Sequence, residues 1–176
     1  MGSTALTVLG KGAYGQVLKL NSDTAIKLFK NDEDDIQRST VTEIAILNKL
    51  KGTRNCLYLK KAEMSDIFAD DVMFGAEIPL GDSSLSDVIK KEGNRPSMDA
   101  EELKEIMWQV TNGIKEIHER DIVHLDLKLE NVIRVNGVYK VADFGLSLYG
   151  YCTLEGSYIN KNLVTPSYRP PEIEYE

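Results

Sequence analysis

Residues 124–131, His124-Leu125-Asp126-Leu127-Lys128-Leu129-Glu130-Asn131, carry the pattern from which the rest of the chain is best read. An acid, a base and an amide share one short loop, and Asp143-Phe144-Gly145 follows a little further on. Asp, Lys and Asn at this spacing can take up a hydroxyl proton, neutralise a phosphate and ligate a metal. A second Asp completes a magnesium site, because Mg2+ prefers one or two carboxylates with phosphate oxygens and water. The bland alternative is a charged surface turn ahead of a hairpin. The neighbouring motifs decide between the two.

Asn136-Gly137, between Val132–Val135 and Val138–Val141, is a strong hairpin signal. That hairpin carries the 124–131 loop at one end and Asp143 at the other. Upstream, a long helix is predicted from Met98 to about Glu119, capped by Ser97, with Glu101 and Glu102 in its first turn. Its apolar stripe is Leu103, Ile106, Met107, Val110, Ile114 and Ile117. A short helix, Leu85–Lys91, precedes it and ends near Gly93-Asn94-Arg95-Pro96; before that lies the Gly81-Asp82 loop. Cys56–Lys60 and Val72–Leu80 are expected to be strands.

Nearer the start, Thr4–Leu9, Gln16–Leu20 and Thr24–Phe29 predict three strands, the last two joined by a turn at Asn21-Ser22-Asp23. Ala25 and Lys27 share one face by the period of two. Gly10-Lys11-Gly12-Ala13-Tyr14-Gly15 therefore lies between two strands, whereas a dinucleotide-binding glycine loop lies between a strand and a helix. By itself a plain turn would explain it equally well. Acidic Asp32–Asp35 suits a loop or helix start. Val41, Ile44, Ala45, Leu47 and Leu50 recur at helical spacing across Ile36–Leu50, which Gly52 ends. Glu43 on this helix can reach Lys27; the alternative is an exposed helix charge.

At 176 residues the chain suits one domain, with 42% hydrophobic and 28% charged residues. A net charge of −7 argues against nucleic-acid binding and mildly favours a basic protein partner. No apolar run approaches the roughly 20 residues of a transmembrane helix, and the start has neither a secretory-signal nor a myristoylation pattern. Cys56 and Cys152 have no metal-type spacing and fit reduced thiols. A cytoplasmic protein is expected, with the nucleus left open.

Taken in order, these motifs resemble those of eukaryotic-type serine/threonine protein kinases over essentially the whole chain. They run from the Gly10–Val17 loop through Ala25-Ile26-Lys27, Glu43, His124–Asn131 and Asp143-Phe144-Gly145 to Thr165-Pro166-Ser167-Tyr168-Arg169-Pro170-Pro171-Glu172. The resemblance implies an α+β, two-lobe fold: a five-stranded antiparallel N-lobe sheet with one helix, then a truncated, mainly helical C-lobe. Residues 1–80 would form the N-lobe and hinge, and 81–176 the partial C-lobe. It implies ATP and Mg2+ as cofactors and a protein Ser/Thr substrate. Gly10, Gly12, Ala13, Tyr14 and Gly15 would cover the phosphates. Lys27 would hold the α- and β-phosphates and be positioned by Glu43. Asp126 would accept the hydroxyl proton, Lys128 would neutralise the γ-phosphate, and Asn131 and Asp143 would bind Mg2+. Adenine would lie between Val17 and Ala25 above and Ile133 below, with Glu77–Leu80 as hinge and Ala76 as gatekeeper. Lys128 and Thr165 resemble the serine/threonine rather than the tyrosine branch, and Tyr168-Arg169 resembles the cyclin-dependent and mitogen-activated kinases.

Three departures stand out. Leu125 replaces the Arg that pairs with a phosphorylated activation segment in regulated relatives, so activity is expected not to depend on phosphate at Ser147, Thr153, Ser157 or the nearby tyrosines. Pro170-Pro171-Glu172 replaces Ala-Pro-Glu, and the hairpin between Val17 and Lys27 is short. The chain stops at Glu176, so apolar faces of the long helix and of the catalytic loop are expected to lack cover, and a partner or self-association would supply it. The alternative function is a weak or inactive kinase-like module that binds ATP or a partner. A small-molecule kinase is a third option, disfavoured by the Thr165–Glu172 segment.

Overall fold

The computed structural model describes residues 7–12, 15–29, 38–65, 73–91, 98–149, 165–168 and 171. Ala13, Tyr14, Asp32–Asp35, Ser97, Cys152, Thr153, Ser157 and Glu172 lie outside them.

Five strands build the first layer: β1 (Thr7–Gly12), β2 (Gly15–Lys19), β3 (Thr24–Phe29), β4 (Lys61–Ser65) and β5 (Met73–Pro79). They form one sheet in the order β1-β2-β3-β5-β4 with every neighbour antiparallel. The β2–β3 turn closes because the Leu20 and Asn21 amides donate to Thr24 O at 3.0 and 3.2 Å, and the Asn21 side chain accepts from the Asp23 amide at 3.0 Å. β3 is central, and every residue except Lys27 is buried.

Helix α1 (Arg38–Lys49) packs behind the sheet. Its buried residues are Thr40, Glu43, Ile46 and Leu47, with buried Leu50 just past its end. Of the expected stripe, Leu47 and Leu50 are buried and Ile44 packs against the core. Val41 is 56% exposed and Ala45 is exposed, because Glu43 points inward to reach Lys27.

Cys56–Lys60 is not a strand. The segment is an extended linker buried between the layers, and the fourth strand starts at Lys61. Leu57 and Leu59 are each 5% exposed, each stabilising by roughly 1.5–3 kcal/mol. Most of the linker's backbone bonds are made away from the sheet, and only the Lys60 amide, at its end, donates to β5, at Glu77 O. Leu57 N–H donates to Val141 O at 2.8 Å, Leu59 N–H to Leu47 O at 2.9 Å, and the Glu116 carboxylate accepts the Arg54 and Asn55 amides, both at 2.9 Å.

The second layer holds α2 (Leu85–Lys91), α3 (Ala100–His118) and short strands. β6 (Ser83–Ser84), β8 (Val132–Val135) and β9 (Val138–Val141) form one small sheet; β7 (Ile122–Val123) and β10 (Leu148–Tyr149) form another. The β8–β9 hairpin turns at Asn136 and Gly137, with φ of 50° and 79°, as a primed turn requires. α3 is capped by Asp99 rather than Ser97: its carboxylate accepts the Glu102 amide at 2.7 Å. The buried face of α3 is Ile106, Gln109, Gly113 and Ile117. Leu103 and Met107, from the predicted stripe, are 51% and 55% exposed. Gly113 is required by close approach, since a Cβ there would stand 2.5 Å from Asn55 O.

Candidate active site

The catalytic-loop residues, the loop's partners and the sheet converge on a cavity of about 670 Å3 between the layers. Its roof includes Gly10, Gly15, Val17, Ala25 and Lys27; its floor includes Asp126, Lys128, Asn131, Ile133 and Asp143.

Lys27, on β3, is the pivot. Its Nζ donates to Glu43 Oε1 at 2.6 Å and to Asp143 Oδ1 at 2.9 Å. Burial alone would depress the ammonium, but the Glu43 and Asp143 carboxylates more than offset it and hold Lys27 above its ordinary value. Burial would raise the Asp143 carboxyl, yet Lys27 outweighs it and keeps Asp143 below the usual carboxylate range. Glu43, almost wholly buried, is pushed up by desolvation despite Lys27.

A second cluster surrounds Asp126. Oδ2 accepts from Lys128 Nζ at 2.6 Å and from Asn131 Nδ2 at 3.0 Å, and Oδ1 accepts from the Thr165 hydroxyl at 2.6 Å. Lys128 Nζ also donates to Thr165 Oγ1 at 3.1 Å. Asn131 Nδ2 makes a further bond to Asp126 O at 2.8 Å, which turns the amide oxygen away from Asp126. A 3₁₀ turn over Leu129–Asn131 sets that geometry.

His124 braces the loop from behind. Its Nε2 lies 3.0 Å from Ala142 O, and its Nδ1 accepts the Asp126 amide at 3.3 Å. Those partners select the neutral tautomer with the proton on Nε2, and burial pushes the imidazole below its ordinary value in agreement. Its ring also meets the fully buried Phe144, 5.1 Å between centroids. Leu125 and Asp143 have φ of 64° and 63°, a left-handed backbone that aims both neighbouring side chains.

The donors fit a magnesium ion. Asp143 offers a carboxylate 47% exposed, and Asn131 offers an amide oxygen. An ion held there would take its remaining ligands from phosphate and water.

Some predicted residues stand elsewhere. Ala76 is fully buried in the core opposite Lys27 and does not line the cavity. Glu77 alternates away from that face, and its carbonyl accepts the Lys60 amide at 2.8 Å. Gly15 lines the cavity, and a Cβ there would lie 2.0 Å from Leu28 O. From the expected hinge Glu77–Leu80, Ile78 and Pro79 line the cavity, together with Leu57 and Gly81 nearby. Pro79 has no N–H and the Leu80 amide is engaged by Asp23 O at 3.0 Å, so neither position offers the cavity a donor. Ser84, Asp87 and Glu130 at the mouth were missed. Two-residue alternation from Ala76 accounts for Ile78; the mouth residues carry no comparable sequence signal.

The chain matches the protein kinase domain family over residues 3–174 and belongs to it, as a protein of the eukaryotic serine/threonine type. It is similar to cyclin-dependent kinase E-1 of Arabidopsis thaliana, 29% identical, covering 94% of this chain and 37% of that protein. It is 31% identical to cyclin-dependent kinase 12 of Drosophila melanogaster and to human cyclin-dependent kinase-like 5, over 94% and 96% of this chain but 15% and 17% of theirs. Among solved structures, it resembles a chain of the CAK complex from Chaetomium thermophilum bound to ATP-gamma-S. That match has a TM-score of 0.74 and 26% identity, and covers 95% of this chain and 53% of the other. The two-lobe kinase fold and its five-stranded antiparallel sheet follow. The chain spans well under two thirds of these proteins' lengths. No helix among the described residues is long and apolar enough to cross a membrane.

Proposed function

We propose that this chain transfers the γ-phosphate of Mg-ATP to Ser or Thr hydroxyls of proteins. The observation that carries the reading is the Asp126 cluster. One carboxylate oxygen already accepts a hydroxyl at 2.6 Å, with the Lys128 ammonium beside it. A substrate hydroxyl placed like that of Thr165 would lose its proton to Asp126 as its oxygen attacks the γ-phosphorus. The bond to the β–γ bridging oxygen breaks, and ADP departs. Lys128 offsets charge on the transferring group, Lys27 holds the other phosphates, and Glu43 fixes Lys27. Asn131 and Asp143 would hold Mg2+, which supplies charge neutralisation at the phosphates. Val17, Ala25 and Ile133 provide apolar surface for the base, and Gly10 and Gly15 line the cavity where the phosphates would be covered.

Leu125 supports activity without activation-segment phosphorylation. Ser147 supports it too, being 4% exposed with its hydroxyl donating to His124 O at 3.0 Å. The test is transfer from radiolabelled ATP to a basic protein, followed by identification of the labelled residues. Label on Ser or Thr, unchanged after phosphatase pretreatment of the chain, is expected. Label on Tyr alone, or activity abolished by phosphatase, would contradict it.

A second reading, a binding module that needs a partner or a second copy for activity, draws on exposed Leu103 and Met107 on α3. Stabilisation by Mg-ATP without transfer would favour it.

A further inference from the structure

The segment after Asp143 is secured locally. The Ser147 amide donates to Phe144 O at 3.0 Å, its hydroxyl reaches His124 O, and β10 pairs with β7 in the register Leu148↔Val123 and Tyr149↔Ile122. A contact also ties this segment to α1. Lys49 Nζ, in the last turn of α1, donates to Tyr149 Oη at 2.6 Å and lies 4.6 Å from the ring centroid, within cation–π range.

We propose that Lys49 and Tyr149 are positioning residues that dock the start of the activation segment on α1 without phosphorylation. α1 is the fixed side of this contact: Ile46, Leu47 and Leu50 sit in the core, and Leu47 O accepts the Leu59 amide. β10 is only two residues long, and Tyr149 is 51% exposed. Through β7 the contact reaches the residues directly before His124. In phosphorylation-dependent switches, a cation gathers an added phosphate. Here the ammonium takes up an unmodified tyrosine hydroxyl, while Leu125 offers the catalytic loop no cation. The alternative is an exposed contact without measurable effect, as many surface contacts are.

Amide exchange at Leu148 and Tyr149, with peptide-phosphorylation kinetics, separates these. The variants are Lys49→Met, Tyr149→Phe, their combination, and Lys49→Arg. Lys49→Met should speed exchange there roughly two- to fivefold, the scale of an exposed cation–aromatic contact, and Tyr149→Phe, which loses the hydroxyl but keeps the ring, should speed it by no more than that. The double variant should go no further than the larger single, and Lys49→Arg should restore the wild-type rate. Peptide KM should rise by a similar factor while the Kd for Mg-ATP moves less than about twofold. Unchanged exchange in Lys49→Met, or multiplying effects in the double variant, overturns the proposal. The kinetic arm rests on the kinase reading; the exchange arm does not. Faster exchange in Lys49→Met, in a protein whose wild type transfers no phosphate, would sink only the kinase reading.

Discussion

Lys27 joins two carboxylates of different character, the buried Glu43 and the half-exposed Asp143. The Asp143 interaction is present above the ordinary carboxylate range and is lost as pH falls through its depressed value. The Lys27 interactions are present below the ordinary lysine value of 10.5 and are lost as pH rises through its raised one. Lys27 and Asp143 therefore stay ionised across neutral pH, whereas desolvation pushes Glu43 toward protonation. Lys27→Met strands Glu43, whose side chain is 4% exposed, at a cost of roughly 3–5 kcal/mol if Glu43 remains charged. Because Glu43 is already pushed toward protonation, urea unfolding should show a smaller loss at pH 5 than at pH 8; equal losses would contradict the pairing. His124 gives the other pH signature. It is neutral when folded but protonates in the unfolded chain below its ordinary value of 6.5, so its contribution is lost as pH falls below that point. His124→Gln should flatten the decline in melting temperature between pH 7 and 5, relative to wild type.

At the scale of elements, α3 makes two opposed predictions. Asp99→Ala removes the cap and should cost about 1 kcal/mol in chemical unfolding. Gly113→Ala gains about 1 kcal/mol of helix propensity but drives a methyl into Asn55 O. A net loss of roughly 1–3 kcal/mol is expected, and a stabilised variant would show that α3 and the linker can separate. The same elements explain what was legible in the sequence. β3, α2 and the Asn136-Gly137 hairpin were found at their observed bounds because their signals are local: alternation, apolar spacing and turn chemistry. Cys56–Lys60 was misread because a buried extended linker and a strand share one composition, and only tertiary hydrogen bonding tells them apart. Val41 and Ala45 were wrongly included in the α1 stripe because the buried face includes a paired acid. Lys27, Glu43, Asp126 and Asp143 were named from motif order and stand together in the structure. Ile78 and Pro79 lie within the expected hinge, whereas Asp87 reaches the cavity from α2, a placement no motif records.

Across the whole molecule, one main core runs through both layers, from Phe29 and Ile46 through Leu57 to Ile117, Val141 and Phe144. That continuity holds the Lys27 cluster on the sheet against the Asp126 cluster on the loop. On α3, the exposed apolar surface is Leu103, Met107 and Trp108. Leu103→Ser with Met107→Ser should leave stability within about 0.5 kcal/mol and lower the binding of a hydrophobic dye; a large loss of stability would mean that this face is already covered. The central claim is that the two clusters form one phosphoryl-transfer site with separable duties. It is tested most directly by single-turnover transfer and Mg-ATP binding measured side by side on wild type and Asp126→Asn. The account predicts transfer reduced by roughly 10²-fold or more, the scale of a lost general base, with nucleotide affinity kept within about threefold. Wild-type transfer that Asp126→Asn leaves intact would contradict it.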